Sequence, residues 1–345
     1  MWRRNKINRR YSLAIALSQI ILLSACTISQ KTETEPDSFS IIVMGDTPYG
    51  KEDFVMLDKA VPFIKNGGFP FVIHVGDYKG GGAECTDDHD QRHLALIDEL
   101  APTPVYYTPG DNEWVDCDRF DNPATGKKYS DLDRLDTVRD LFFSDQKVSP
   151  NALPENLSWT YKNVQFLTLH VTGTNNARDW VAGDPLDRAA AAVDLRDRAN
   201  LFHLEQAFAQ AKAENNHAVI IAMQADMTDI DDKPDHIMCE DVAPDDDHPC
   251  DAFTDLRAAI RDAAIEFKKP VLLIHGDTAP FTLNQHFAGE EAPNLWRLNA
   301  AGDAGVGRTG QPYGTRDITI VTIDPAASIP FAARGALAGK APKSR

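Results

Sequence analysis

Apolar runs alternate with amphipathic stretches along most of the chain. Short runs rich in Val, Ile and aromatic residues predict strands at about 40–45, 70–76, 104–108, 158–161, 164–171, 217–223, 270–275 and 317–323. Helical patterns lie between most of them and begin at Lys51, Gln91, Asp131, about Asp187 and Phe253. This alternation predicts an α/β protein with helices layered on the sheet.

Four of these runs stop at, or just before, a Gly-Asp pair, whose aspartates are Asp46, Asp77, Asp111 and Asp277. Glycine permits a sharp turn at the strand exit, so the aspartate is delivered to the edge where ligands bind in open α/β sheets. Four carboxylates meeting there would repel one another, and a divalent cation would remove that cost. Any one pair is also a common turn, and Asp46 would serve equally as a helix N-cap. The set predicts a metal site.

The order and spacing of these motifs resemble the calcineurin-like metallophosphoesterase superfamily, from about residue 40 to about 323. That family carries Asp-x-His, Gly-Asp, Gly-Asn-His-Asp/Glu, a lone His and Gly-His-x-His after successive strands. The corresponding stretches here are Asp46-Thr47-Pro48, Gly76-Asp77, Gly110-Asp111-Asn112-Glu113, Gln224 and Gly276-Asp277-Thr278-Ala279. The resemblance implies an α/β layered sandwich, with two mixed β-sheets flanked by α-helices, over residues 39–324. It also implies a divergent branch in which Asp or Gln replaces the metal-binding His.

The resemblance assigns Asp46 to a first metal, Asp77 to a position shared by both metals, and Asp111, Gln224 and Asp277 to the second. This set offers only oxygen atoms, which suit Mn²⁺, Mg²⁺ or Ca²⁺ better than Zn²⁺. Pro48 and Ala279 stand where the family has ligands to the first metal, so one or two cations are expected.

The same resemblance gives candidates for catalysis and substrate binding. Asp77 would act through the metals, and Asn112 takes the place of the His that assists the leaving group. Asparagine donates a hydrogen bond but gives up no proton at neutral pH. Lys79, beside three glycines, would contact a phosphorylated substrate, although a solvated lysine in a loop explains the sequence equally well. Three histidines inside apolar runs are expected in the core, and one of them could orient Asp277: His74, His170 and His275.

The first 25 residues predict a signal peptide, with five Lys and Arg residues before an apolar segment. Leu23-Ser24-Ala25-Cys26 resembles a bacterial lipobox, which implies cleavage before Cys26 and a lipid on that cysteine. An ordinary signal peptide with a chance cysteine is the alternative. Residues 26–38 would form a polar tether, and the Thr after Cys26 implies an outer-membrane lipoprotein that faces the periplasm or the surface. Residues 325–345 predict a loose C-terminal tail.

Charge and cysteine content narrow the function further. The formal charge is −17, and removal of the leader's five basic residues from the 35 present makes it −22. This argues against nucleic acid as a partner, whereas a small phosphorylated substrate is compatible if bound cations reverse the local sign. Apart from Cys26, four cysteines allow three disulfide pairings. We favour Cys85–Cys117 and Cys239–Cys250, which join segments predicted to be neighbours.

Two alternatives remain open at this level. The acidic stretch 226–251 could bind Ca²⁺ or form a solvated surface loop. The chain as a whole is expected to be a divalent-metal-dependent phosphoesterase, with a catalytically silent binding lipoprotein of the same fold as the other interpretation. The sequence does not indicate an oligomeric state.

Overall fold

The structure, a computed structural model, describes residues 38–146, 152–178, 183–228, 250–285, 291–304 and 314–344. All of these belong to one compact unit, Glu35–Arg345. The predicted signal peptide, Cys26, nearly all of the predicted tether, and Cys239 lie outside the described residues. No helix among the described residues is long and apolar enough to cross a membrane.

Strands and helices alternate as the sequence predicts. The strands are β1 (Phe39–Met44), β2 (Val72–His74), β3 (Val105–Tyr107), β4 (Asp121–Asn122), β5 (Lys127–Lys128), β6 (Ser158–Tyr161), β7 (Val164–Thr168), β8 (Ala218–Ala222), β9 (Val271–His275), β10 (Thr282–Asn284), β11 (Leu295–Asn299), β12 (Thr319–Ile323) and β13 (Phe331–Gly335). The helices are α1 (Lys51–Asn66), α2 (Asp87–Leu100), α3 (Asp131–Phe142), α4 (Gly173–Ala177), α5 (Leu186–Ala213) and α6 (Thr254–Phe267), with a 3₁₀ turn at Val115–Arg119.

Two mixed sheets form the centre of the fold. The first has the order β13-β12-β1-β2-β3, in which β1, β2 and β3 run parallel. The second has the order β10-β11-β9-β8-β7-β6, in which β7, β8, β9 and β11 run parallel. A small β4–β5 ribbon is separate. The predicted α/β architecture of two mixed sheets flanked by helices is therefore confirmed.

Apolar side chains from both sheets meet between them and form the central core. Ile41 and Ile73 of the first sheet share one buried cluster with Phe166, Ile220 and Leu272 of the second. The outer faces are covered by helices: α1 packs on the first sheet, and α5 with α6 packs on the second. Because β1, β2, β8 and β9 are covered on both faces, their sequences are apolar throughout, as expected for buried strands.

The C-terminal segment differs from the loose tail predicted for residues 325–345. Residues Phe331–Gly335 form β13, which pairs antiparallel with β12, and the Phe331 ring is buried in the core. The Asp317 carboxylate accepts hydrogen bonds from the backbone N–H groups of Leu337 and Ala338. The fold thus continues past residue 324, because one aromatic side chain and a row of backbone hydrogen bonds dock an otherwise Ala-rich and Gly-rich segment.

Candidate metal centre

Four aspartates that follow strand ends share an unusual backbone conformation. Asp46, Asp77 and Asp277 follow β1, β2 and β9 and have φ angles of 49°, 60° and 72°. Asp303, which follows β11, has a φ of 44°. Asp is among the few residues other than Gly that adopt this left-handed conformation readily, which explains the repeated Gly-Asp pairs. The sequence analysis missed Asp303, although the signal, Gly302-Asp303 shortly after an apolar run, was of the same kind.

The structure brings the predicted ligand residues together. One carboxylate oxygen from each of Asp77, Asp111 and Asp277 lies within 4.8 Å of the other two, and this group could hold a metal ion. Asp46 adjoins them, because its Oδ1 accepts a hydrogen bond of 2.9 Å from the backbone N–H of Asp277. The turns must be glycine for these side chains to approach: a Cβ on Gly110 would lie 1.9 Å from Asp77 Oδ1.

Gln224 completes the predicted set, but its orientation differs from that of a metal ligand. Its Nε2 faces Asp77 Oδ2 at 3.0 Å, Asp111 Oδ1 at 3.1 Å and Asp277 Oδ1 at 3.2 Å. Its Oε1 accepts the backbone N–H of Gly173 at 2.5 Å. In this orientation Gln224 is a hydrogen-bond donor to the three carboxylates. It would ligate a cation only after the amide turned over and gave up the Gly173 contact.

The centre carries more negative charge than its surroundings compensate. Burial, followed by the charge of Asp303, raises the pKa of Asp46 well above its ordinary value. Burial and the charge of Asp111 do the same for the pKa values of Asp77 and Asp277. Carboxylates that resist ionisation because they are buried beside one another are stabilised by a cation. Together with an all-oxygen carboxylate set, this fits a hard divalent ion.

A second layer of side chains holds the β2 and β3 turns in place. Glu113 Oε1 accepts the backbone N–H of Asp77 at 2.7 Å and the hydroxyl of Tyr107 at 3.2 Å. The predicted Cys85–Cys117 disulfide is present, with a Cα–Cα distance of 5.5 Å, and it joins the loop after β2 to the 3₁₀ turn after β3. Cys250 is also disulfide-bonded; its predicted partner lies outside the described residues.

Lys79 does not face solvent, contrary to its predicted contact with substrate. The side chain is 1% exposed, and Nζ donates to the backbone carbonyl of Ala83 at 2.9 Å. Burial lowers its pKa, while the nearby carboxylates of Glu113 and Asp116 oppose that shift. The cation is directed inward because the glycine-containing loop curls its carbonyl groups around it, and it compensates acidic groups beside the centre.

Asn112 lies at the centre, where a tyrosine missed by the sequence analysis meets it. Asn112 Nδ2 donates to the Tyr49 hydroxyl at 3.2 Å. That hydroxyl lies 3.3 Å from Asp46 Oδ1 and 3.2 Å from Asp77 Oδ2. Tyr49 is three residues after Asp46, and only the turn between β1 and α1 shows that its ring folds back over the carboxylates.

A left-handed turn, also missed, closes the opposite side. The four residues from Thr174 to Ala177 have φ angles of 51°, 52°, 57° and 59°. Thr174 Oγ1 donates to Asp111 Oδ2 at 2.6 Å, and Asn175 Nδ2 donates to the carbonyl of Cys250 at 3.1 Å. Such a conformation costs free energy, so it persists only where the surroundings impose it, as at binding sites.

The histidines lie in the core, as expected from their apolar runs. His74, His170 and His275 are at most 1% exposed. His275 Nδ1 lies 2.8 Å from the carbonyl oxygen of Gly276, and its Nε2 faces Asp226 at 3.8 Å. These contacts do not support the suggestion that His275 orients Asp277.

Comparison with known proteins agrees with this architecture. The family described as calcineurin-like phosphoesterase matches residues 39–181, a range that includes Asp46, Asp77 and Asp111. The chain is similar to three solved structures. A dimetal phosphatase from Danio rerio has 12% identity and a TM-score of 0.46, with 87% of this chain and 96% of that chain covered. GAP50, the anchor in the inner membrane complex of Plasmodium, has 11% identity and a TM-score of 0.41, with 88% and 86% covered.

The third, TT1561 of Thermus thermophilus, has 12% identity and a TM-score of 0.37, with 87% of this chain and 100% of that chain covered. No curated protein matches the chain. The family match over residues 39–181 and the two mixed sheets flanked by helices together identify the calcineurin-like metallophosphoesterase fold.

Proposed function

We propose that this protein is a divalent-metal-dependent phosphoesterase. The observation that carries the proposal is the convergence of Asp77, Asp111 and Asp277 within 4.8 Å in a buried site. Their pKa values are raised by burial and by one another's charge or that of other nearby carboxylates, so the site has an unmet need for positive charge. Oxygen ligands favour Mn²⁺, Mg²⁺ or Ca²⁺ over Zn²⁺.

The residues of the chain define what the site could do to a phosphoester. When bound, a cation supplies Lewis-acid polarisation of a phosphoryl oxygen and a nucleophile from water. Asp77, Asp111 and Asp277 would hold it, with Asp46 alongside. Asn112 would polarise the leaving group through Nδ2, which now donates to Tyr49. Because Asn112 has no proton to give, esters with acidic leaving groups, such as activated diesters, would be hydrolysed best.

The cellular setting is part of the same proposal. The lipobox ending at Cys26 supports an outer-membrane lipoprotein whose domain faces the periplasm or the surface, tethered by residues 26–38. A disulfide between Cys85 and Cys117 is consistent with an oxidising compartment. Incorporation of a fatty-acid analogue into the full chain, lost in Cys26→Ser, would test the anchor. Equal labelling of both would contradict it.

A catalytically silent binding lipoprotein is the second candidate. Pro48 and Ala279 provide no ligand atoms, and the amide nitrogen of Gln224 faces the carboxylates as a donor. A protein in which hydrogen bonds satisfy the carboxylates could keep the fold and bind a partner without hydrolysis.

Hydrolysis of an activated aryl phosphodiester separates the two functions. The full-length chain in mild detergent would be stripped with a chelator and resupplied separately with Mn²⁺, Mg²⁺, Ca²⁺ or Zn²⁺. We expect turnover to return with Mn²⁺ or Mg²⁺ and to vanish in Asp77→Asn, which also excludes a contaminating phosphatase. Absence of turnover with every ion, in protein shown to be folded, would support the silent binding module.

A further inference from the structure

The gap between Asp46 and Asp77 contains the phenol hydroxyl of Tyr49. The hydroxyl oxygen lies 3.3 Å from Asp46 Oδ1 and 3.2 Å from Asp77 Oδ2, and it accepts a hydrogen bond from Asn112 Nδ2. One proton is therefore shared between two carboxylates, and the amide of Asn112 fixes the position of the oxygen. Tyr49 is partly buried and begins the segment leading into α1, where its backbone N–H donates to Asp53 at 2.8 Å.

The other carboxylates are arranged differently. Asp77, Asp111 and Asp277 form the cluster of three closely spaced oxygens, and Asp46 is not part of it. Asp46 Oδ1 is already engaged by the backbone N–H of Asp277 at 2.9 Å in addition to the Tyr49 hydroxyl. The Asp46 side of the centre is thus supplied with hydrogen-bond donors, whereas the other side has its three carboxylates around one amide nitrogen.

We propose that the Tyr49 hydroxyl takes the place of a cation between Asp46 and Asp77, so that each chain binds a single divalent ion at Asp77, Asp111 and Asp277. This inference rests on the proposed metal dependence of the site and specifies its stoichiometry. A hard cation shared by two carboxylate oxygens lies about 2.0–2.6 Å from each. The phenol oxygen is within hydrogen-bonding distance of both, so it and a cation cannot occupy the gap together.

The chemistry of the phenol favours displacement of the ion over ligation of it. A phenol with an ordinary pKa of about 10 keeps its proton at neutral pH, and the proton is what the two carboxylates attract. Burial and neighbouring carboxylates raise the pKa of Tyr49 further. Pro48 and Ala279, which lie close in sequence to Tyr49 and Asp277, provide no side-chain ligand that would favour an ion over the hydroxyl.

Counting bound ions tests the inference without reference to activity. The full-length chain in mild detergent would be stripped, dialysed to equilibrium against Mn²⁺, and analysed for manganese per chain. We expect one ion in the unmodified protein and two in Tyr49→Phe, which keeps the ring and removes the hydroxyl. The double variant Tyr49→Phe/Asp46→Asn should return to one. The matched control is Tyr129→Phe, whose hydroxyl contacts Glu84 at 3.3 Å on the surface and whose loss should leave the count at one.

Electron paramagnetic resonance gives a second measurement on the same samples. Two Mn²⁺ ions sharing a site lie about 3.5–4 Å apart and couple magnetically. We expect an uncoupled signal from the unmodified protein and a coupled one from Tyr49→Phe, with circular dichroism verifying that the variant is folded.

Three results would overturn the inference. Two ions in the unmodified protein would show that the hydroxyl does not exclude the second ion, and would leave the proposed phosphoesterase standing. Fewer ions in Tyr49→Phe than in the unmodified chain would make the phenol a ligand. An unchanged count in folded Tyr49→Phe would remove the hydroxyl as the cause. Absence of bound ion from every variant would instead reject the metal-dependent function itself.

Discussion

Gln224 Nε2 lies 3.0 Å from Asp77 Oδ2, and this contact joins the end of β8 in one sheet to the end of β2 in the other. The same nitrogen also reaches Asp111 and Asp277, so one amide meets a carboxylate from each of three strand ends. An amide nitrogen has two protons, and three acceptors compete for them. The contact therefore holds the centre together without neutralising it.

Loss of this amide should destabilise the protein mainly when no cation is bound. In Gln224→Met the three carboxylates lose their shared donor, and we expect the free energy of unfolding in chelator to fall by about 2–3 kcal/mol. A bound cation replaces the donor, so Mn²⁺ should recover most of the loss. Urea unfolding with and without Mn²⁺ measures both quantities.

Gln165 provides the matched control for that experiment. It is buried like Gln224, but its Nε2 donates to Ser158 Oγ and to backbone carbonyl groups. Gln165→Met should be destabilised equally in chelator and in Mn²⁺. If Mn²⁺ failed to restore Gln224→Met any better than Gln165→Met, Gln224 would have no special link to a cation site.

Thr174 should tune the ion through Asp111. Its hydroxyl donates to Asp111 Oδ2 at 2.6 Å, which is one of the contacts that lower the pKa of Asp111 against the effect of burial. Thr174→Val keeps the shape and removes the donor, so we expect affinity for Mn²⁺ to fall about 10-fold to 100-fold, as for other groups that orient a ligand. Isothermal titration calorimetry measures the change. Thr174→Ser retains the hydroxyl and should bind nearly as well; equal weakening in both variants would assign the effect to the backbone of the left-handed turn.

The elements that the sequence predicts are those whose pattern is independent of distant contacts. β1, β2 and β9 are apolar on both faces, and α1 begins at Lys51 and ends at Asn66 as its periodicity indicates. β11 escaped prediction because Trp296 and Arg297 are only partly buried, which interrupts its apolar run. Missing β11 also meant missing Asp303. β13 escaped because only Phe331 and Gly335 are buried in a segment rich in Ala.

Residue types at the centre were predictable, whereas their orientations were not. Asp77, Asp111 and Asp277 meet because parallel strands end at a common edge. The direction of the Gln224 amide depends on the Gly173 N–H, which comes from a turn 51 residues earlier in the chain. The inward direction of Lys79 likewise depends on the Ala83 carbonyl. Such choices are made by hydrogen bonds that form only once the loops are in place.

The Cys85–Cys117 disulfide should contribute strongly to stability. It closes a segment with a sequence separation of 32, for which loop-closure entropy gives about 3–4 kcal/mol. Cys85→Ala/Cys117→Ala should lower the free energy of unfolding by that amount. It should also weaken Mn²⁺ binding, because Asp111 lies within the closed segment. Urea unfolding and titration calorimetry test the two effects, and unchanged stability would mean that packing alone fixes these loops.

Stabilisation by a cation should increase with pH. Burial and neighbouring carboxylates raise the pKa values of Asp46, Asp77 and Asp277, so without an ion these groups stabilise the fold fully below about pH 4. That contribution is lost as the pH rises through their raised pKa values. A cation binds the deprotonated carboxylates, so the increase in Tm on adding Mn²⁺ should be small at pH 5 and larger at pH 8.

The difference between the two Tm values at each pH isolates this effect. His74, whose pKa is lowered by burial to about 3, contributes to stability similarly with and without the ion, so its effect cancels in the difference. Asp277→Asn removes one of the titrating carboxylates and should flatten the pH dependence. An increase in Tm of the same size at pH 5 and pH 8 would indicate that Mn²⁺ binds elsewhere, because a site built from these carboxylates must lose affinity as they take up protons.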